Sequence, residues 1–380
     1  MWISRLALTD FRNHAHLNLV LDARPVVLAG PNGAGKTNVL EAVSLLAAGQ
    51  GLRRAAYPEL ARRDGSGAWA VAATLQTAHG PIDIGTGLSP APGQTERTGR
   101  IVRLDGEAQS GSGVLAEHVE MIWLTPAMDG LFTGAAGERR RFLDRLVLCF
   151  DPAHGTRYGQ FERAMRQRNR LLEDGVREPA RFSGLEAVMA ETGVAIAAAR
   201  VEAAAALLGV IAARRARAPG SPFPWAMLSL DGAIETDLAS RPAVDVEDTY
   251  LTTLAQTRER DRAAGRTLSG PHRTDLVVGH GPKDMPASAS STGEQKSLLI
   301  GLILAHAELL RERREGAAPI LLLDEVAAHL DERRRAALFG EILHLGSQAW
   351  LTGTDRQAFS ALLNGAQFLS VEEGRIAAAA

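Results

Sequence analysis

The feature that most constrains this chain is the run Gly30-Pro31-Asn32-Gly33-Ala34-Gly35-Lys36-Thr37, set between an apolar stretch and a helix-like one. Val26-Val27-Leu28-Ala29 before it reads as a short buried strand, and Asn38-Val39-Leu40-Glu41-Ala42-Val43 after it as the start of an amphipathic helix. Strand, glycine-rich turn and helix form the setting in which the pattern G-x-x-x-x-G-K-[ST] has a physical meaning. Glycines let successive backbone N–H groups face one point, and the helix N-terminus adds partial positive charge there. Such a turn cradles phosphate oxygens, with the Lys36 ammonium on the β- and γ-phosphates and the Thr37 hydroxyl on Mg²⁺. Gly30, Pro31, Asn32, Gly33, Ala34, Gly35, Lys36, Thr37 and Asn38 are therefore the expected contacts to ATP. The competing reading is a strand-to-helix turn that binds nothing. The loop alone says nucleotide and no more.

Lys36 stands out in another way. The basic charge is almost all arginine, and the only lysines are Lys36, Lys283 and Lys296. Formal net charge is -2, so any affinity for nucleic acid must come from a local patch. The single cysteine, Cys149, excludes an intrachain disulfide and a Cys-rich zinc site, and its apolar neighbours suggest a buried small residue. Met1-Trp2-Ile3-Ser4-Arg5 lacks the basic start of a signal peptide, and no uninterrupted apolar run is long enough to span a bilayer. A cytoplasmic protein without membrane contact is the expectation.

Two more segments bear on a nucleotide. Ser288-Ala289-Ser290-Ser291-Thr292-Gly293-Glu294-Gln295-Lys296 precedes an apolar helical run, so Ser291 and the N–H groups around Gly293 are placed to bind a phosphate. The same pattern also describes a plain capped helix. Pro319-Ile320-Leu321-Leu322-Leu323 then reads as a fully buried strand, and it ends in the adjacent carboxylates Asp324 and Glu325. In open α/β sheets ligands bind at that end of a strand. Asp324 is the expected Mg²⁺ ligand and Glu325 the expected general base, with Lys36 sharing the catalytic work. A pair of helix-capping acids is the alternative.

The order of loop, Ser-Gly segment, acidic strand and Ala328-His329-Leu330-Asp331 resembles that of the ABC-type ATPases. The resemblance implies an α/β ATPase head and a head-to-tail dimer. In it Ser291 and Gly293 of one copy complete the nucleotide site of the other, and Asp331 crosses the interface. Two departures stand out. No histidine follows the strand Ala349-Trp350-Leu351-Thr352, which leaves Thr352 or Thr354 as the nearest polar candidate. No glutamine follows Met121-Ile122-Trp123-Leu124 in the usual place.

About 250 residues separate the loop from the Ser-Gly segment, too many for a transporter ATPase lobe and too few for condensin-like arms. Helical spacing of apolar residues predicts helices over 156–174 and 184–217, a short arm or lobe without a Cys-x-x-Cys hook. The expected division is a head over 1–150 and 266–380, with a helical second domain over 151–265. Four further segments resemble the RecF family of bacterial gap-repair ATPases. They are Ile3 to Asn13, the run Gly134-Ala135-Ala136-Gly137-Glu138-Arg139-Arg140-Arg141-Phe142-Leu143-Asp144, Ser269-Gly270-Pro271-His272-Arg273-Thr274-Asp275-Leu276, and Phe368 to Ile376.

This likeness spans essentially the whole chain. It implies a weak Mg²⁺-dependent ATPase that dimerises on ATP and binds duplex DNA beside single-stranded gaps. It also implies RecR as partner, with RecO and RecA downstream. A tether-like module related to condensin and Rad50 heads is the alternative. Arg53-Arg54, Arg62-Arg63, Arg139 to Arg141, Arg157, Arg163, Arg166, Arg168 and Arg170 are the candidates for DNA phosphates, each also readable as a solvated helix face. His272 and Arg273 read either as phosphate sensors or as holders of a strand turn. No histidine is assigned to a metal.

Overall fold

Strand patterning is visible from the first residues. Ile3, Leu6, Leu8 and Phe11 are fully buried, and the shift from odd to even positions coincides with a register irregularity between Ile3 and Arg5. The structure is a computed structural model and describes residues 1–89 and 99–378. Among these residues the first strands are β1 (Trp2–Phe11), β2 (His14–Val20), β3 (Val26–Ala29), β4 (Trp69–Thr77), β5 (Gly80–Leu88), β6 (Ile101–Leu104), β7 (Glu107–Ala108) and β8 (Met121–Leu124). They continue with β9 (Ala226–Asp231), β10 (Asp275–His280), β11 (Met285–Pro286), β12 (Ile320–Leu323), β13 (Ala349–Gly353), β14 (Gln367–Glu372) and β15 (Arg375–Ala378). The helices are α1 (Lys36–Ser44), α2 (Ala136–Leu148), α3 (His154–Glu173), α4 (Ala180–Arg217), α5 (Ala233–Leu238), α6 (Ala243–Gln256), α7 (Arg258–Ala264), α8 (Thr292–Arg313) and α9 (Glu332–Leu345).

The chain forms two compact units. The first takes Met1–Asp129, Ala218–Pro224 and Thr292–Ala380; the second takes Gly130–Arg217 and Trp225–Ser291. Segments 130–150 and 266–291 therefore pack with the helical unit, where the sequence had assigned them to the head. The physical reason is that Arg200 of α4 holds Asp144 of α2 and donates to Pro271 O, while Arg139 of α2 pairs with Asp275 of β10, so both stretches are tied to the helices.

The first unit holds two described sheets. One is antiparallel, in the order β2-β1-β4-β5-β6-β7. The other runs β15-β14-β3-β13-β12-β8 and is parallel except for the β14–β15 hairpin. β8 and β12 are buried at every position, which is why they read as unbroken apolar runs. The registers Leu351↔Val27 and Leu323↔Leu351 bring the ends of β3, β12 and β13 to one edge of this sheet.

The second unit packs α2 to α7 with the three-stranded antiparallel sheet β11-β10-β9. Both helices expected in this region are present. α4 has 38 residues, a length of about 57 Å. By length and composition it is apolar enough to cross a membrane, with mean hydropathy 2.0 over 18 residues. Arg200 and Glu202 interrupt this run, so no unbroken apolar stretch of that length exists in the sequence. Met189, Ile196 and Ala197 of α4 are buried in a cluster with Phe161 of α3 and Leu254 of α6, the packing of a core helix. Cys149, expected to be buried, is only half-buried, and its thiol faces Arg145 O at 3.6 Å.

Charge also lies inside this unit. Arg168 is 0% exposed and donates to Glu186 Oε1 (3.0 Å), Asp261 Oδ2 (2.8 Å), Thr267 Oγ1 (2.8 Å) and Leu254 O (2.8 Å). It ties α3 to α4, α6 and α7 and is no candidate for DNA, a correction to the sequence reading. Arg163, Arg166 and Arg170 of the same helix do lie on its exposed face. Arg168→Met strands buried carboxylates and is expected to lower unfolding stability by about 3–5 kcal/mol in urea titrations. A loss under about 1 kcal/mol would show that Glu186 and Asp261 manage without it.

Candidate functional site

The turn after β3 is shaped by what cannot fit there. A Cβ on Gly30 would stand 2.1 Å from Val371 O, and Gly33 and Gly35 have φ of 80° and 108°, where side chains are strained. Gly35 is the N-cap of α1, and its carbonyl accepts from Asn38 N (3.0 Å) and Val39 N (3.2 Å). Lys36 is 5% exposed, and its Nζ donates to Gly30 O (2.7 Å) and Pro31 O (2.8 Å). Burial pulls the Lys36 pKa below the usual lysine value, against the charges of Glu325 and Asp324, which push it up. Both expected carboxylates thus act on the loop lysine.

Asp324 is 6% exposed at the end of β12. Its Oδ1 accepts from Thr37 Oγ1 (2.9 Å) and from Thr352 Oγ1 (2.8 Å). Thr352 is fully buried at the end of β13, and its hydroxyl oxygen also accepts the Glu325 N–H at 2.8 Å. Glu325 itself has φ 52°, in the left-handed region. Of the two hydroxyls after this strand, Thr352 is the one that holds both acidic residues, while Thr354 is exposed. The Thr37 hydroxyl beside the Asp324 carboxylate is a pair of hard oxygen donors, the kind Mg²⁺ takes. Among the described residues no group of three or more His, Cys, Asp or Glu side chains is arranged to hold a metal alone.

The sequence did not show what braces the loop. Asn13 Nδ2 donates to Ala34 O (3.1 Å), and Asn38 Nδ2 donates to Asn13 Oδ1 (2.7 Å). His14 is buried, with Nδ1 2.8 Å from Gly374 O and Nε2 3.4 Å from Gly35 O, while Gly374 N donates to Ala34 O at 3.1 Å. Behind α1, Arg12 forms a two-pronged pair with Glu41, and Arg53 reaches Asn38 Oδ1 at 2.8 Å. The β1–β2 turn and the β14–β15 hairpin therefore meet at the loop and together hold the Ala34 carbonyl. Arg53 and Arg62, the latter on Asp10, are engaged in ion pairs.

The remaining expected site residues stand elsewhere. Ser291, Thr292 and Gly293 are exposed at the start of α8, and a Cβ on Gly293 would meet nothing within 4 Å. Lys296, one turn further, is buried against Asp129 at 3.3 Å, close after β8, in the stretch that lacks a glutamine. Asp331 caps α9, accepting from Arg334 N at 2.8 Å. Among the described residues Gly293 and Asp331 make no hydrogen bond to the loop.

The sheet order and the loop carrying Lys36 and Thr37 against Asp324 define the class as a P-loop ATPase head. Solved structures share the fold. A structure of the recombination mediator protein RecF-ATPrS in the RecFOR pathway superposes with TM-score 0.85 at 20% identity, covering 100% of this chain and 98% of that one. The Smc head domain from Pyrococcus furiosus gives TM-score 0.55 at 15% identity, covering 100% and 96%. The model of the RecF/RecN/SMC N terminal domain matches residues 2–373, and the chain belongs to that family, in its RecF branch. It is 54% identical over 375 residues to the DNA replication and repair protein RecF of Mesorhizobium japonicum, covering 98% of this chain and 97% of that one. The RecF of Rhizobium etli is 53% identical over 375 residues, with 98% of each chain covered.

Thr352→Val keeps the shape but leaves Glu325 N–H without an acceptor, at a cost of about 1–3 kcal/mol in urea unfolding. Thr352→Ser keeps the hydroxyl and is expected to stay within about 1 kcal/mol of the unmodified protein. A loss in Thr352→Ser with none in Thr352→Val would show that the Thr352 methyl, and not its hydroxyl, matters.

Proposed function

We propose that this chain is an ATP-driven DNA-binding switch of recombinational repair, acting in the bacterial cytoplasm. The observation that carries the reading is Asp324 Oδ1 held by the Thr37 and Thr352 hydroxyls, with Glu325 next in sequence and Lys36 across the loop. ATP sits on residues 30–38, its phosphates facing the loop N–H groups and the Lys36 ammonium. Mg²⁺, when bound with ATP, would rest on Thr37 and Asp324 and neutralise phosphate charge. Glu325 orients the attacking water and takes its proton. The fixed backbone of Glu325, tied through its N–H to Thr352, aims that carboxylate.

The exposed first turn of α8 supports a further part of the reading. Ser291 and Gly293 of one copy close over the nucleotide of the other in a head-to-tail dimer, and Asp331 lies at the seam. Two ATP molecules then hold the dimer, and slow hydrolysis releases it. The dimer binds duplex DNA next to single-stranded gaps and, with RecR and RecO, helps to load RecA. The names of the relatives, DNA replication and repair protein RecF, and of the solved neighbour in the RecFOR pathway support this assignment.

Single-turnover hydrolysis of ATP by Glu325→Gln tests the chemistry. The expected outcome is a rate at least about a hundredfold lower with nucleotide affinity retained. An unchanged rate would remove Glu325 from the mechanism.

A further inference from the structure

Two segments singled out in the sequence have no part in the site above, yet the second unit packs them together. From α2, Arg139 holds both oxygens of Asp275, Nε to Oδ1 at 2.8 Å and Nη2 to Oδ2 at 2.7 Å. The next residue, Arg140, donates Nη1 to Thr274 O at 2.7 Å. From α4, Arg200 holds Asp144 (2.8 and 3.0 Å) and donates to Pro271 O at 2.7 Å. Arginines thus surround the turn 270–275, which contributes an exposed arginine of its own, Arg273.

The charges around this turn do not cancel. Asp275 is taken by Arg139, and Asp144 by Arg200 and His154. Glu235 accepts from Thr274 Oγ1 at 2.7 Å and lies 3.7 Å from Arg200. Among the described residues neither Arg140 nor Arg273 has a carboxylate within ion-pair distance. Burial lowers the Arg140 pKa, and the charges of Arg200 and Arg273 act the same way, against Tyr158 and Asp275. Burial also lowers the His272 pKa, helped by Arg273 and Arg140, while its ring Nε2 faces Thr267 O at 3.0 Å. His272 therefore holds the turn, and the charges of Arg140 and Arg273 oppose each other around it, with Asp275, already paired to Arg139, acting against them.

We propose that Arg140 and Arg273 form a binding site for a backbone phosphate of duplex DNA. A guanidinium offers paired N–H donors that match two phosphate oxygens, and an anion placed between them relieves the repulsion. Arg273 is exposed and Arg140 half-buried, so the pair opens to the surface. A small ligand would need a pocket that encloses most of its surface, whereas a phosphate on a polymer meets an open site of this kind. The assignment rests on the DNA-binding reading above and adds to it the residues that make one contact.

The test is the affinity of the full chain with ATP·Mg²⁺ for a labelled duplex across a range of KCl concentrations. Arg140→Gln keeps a donor for Thr274 O and removes the charge; Arg273→Gln removes the other charge. Each substitution is expected to weaken binding, and the double variant to lower the slope of log affinity against log salt by about one, the share of a single phosphate. Arg140→Lys and Arg273→Lys, which keep the charge, retain the slope. Affinity for a fluorescent ATP analogue stays unchanged in all variants. An unaltered slope in the Gln double variant, with the unmodified protein binding normally, overturns this site alone. Lost ATP affinity with an intact DNA slope assigns the anion to the nucleotide and also overturns it. If the unmodified protein binds no duplex, the DNA reading under Proposed function fails and this site with it.

Discussion

One carboxylate oxygen, Asp324 Oδ1, receives hydroxyl hydrogens from both Thr37 and Thr352. Those three residues sit at the start of α1 and at the ends of β12 and β13, so the oxygen joins the loop helix to two strands of the parallel sheet. The strand order explains why they can meet. β13 pairs with β3 on one side and β12 on the other, which puts the loop after β3 and the acid pair after β12 at the same edge. A buried carboxylate without partners would be costly, and these hydroxyls supply them. The left-handed backbone of Glu325 is held by the same hydroxyl, through the Glu325 N–H. Strain of that kind persists where the surroundings over-determine it, and Thr352 is the over-determining contact.

The second unit follows another logic. Its long helix α4 is apolar enough to resemble a membrane span, yet it carries Glu186 and Arg200 fully inside. Arg168 and Arg200 each bind carboxylates and backbone carbonyls from segments distant in sequence, and these pairs set the positions of α2, α3, α4 and α7. Buried pairs of this kind add little net stability beyond an apolar core, but they penalise wrong registers because each charge has few acceptable partners.

Much of the head was legible because its signals are local. The loop announces itself in eight consecutive residues, and the apolar run of β12 with its two acids marks a buried parallel strand. The helices α3 and α4 follow from spacing alone. What was not legible depends on contacts between distant positions. Nothing in the sequence says that Asn13 lies on Ala34, or that His14 lies between Gly35 and Gly374. Arg168 shares its helix with exposed arginines, but its spacing turns it to the opposite side, where Glu186 and Asp261 receive it. The division into units was also hidden, because the pairing of Arg139 with Asp275 joins residues 136 apart.

In the proposed switch, nucleotide held by Lys36 and Thr37 joins two copies of the chain through Ser291 and Gly293. The most direct test is the molar mass in solution without nucleotide, with ADP and with ATP·Mg²⁺, for the unmodified protein and for Lys36→Met. A dimer is expected only with ATP·Mg²⁺, and only when Lys36 is present. A mass that stays monomeric with ATP would contradict it, leaving the first turn of α8 as an ordinary capped helix start.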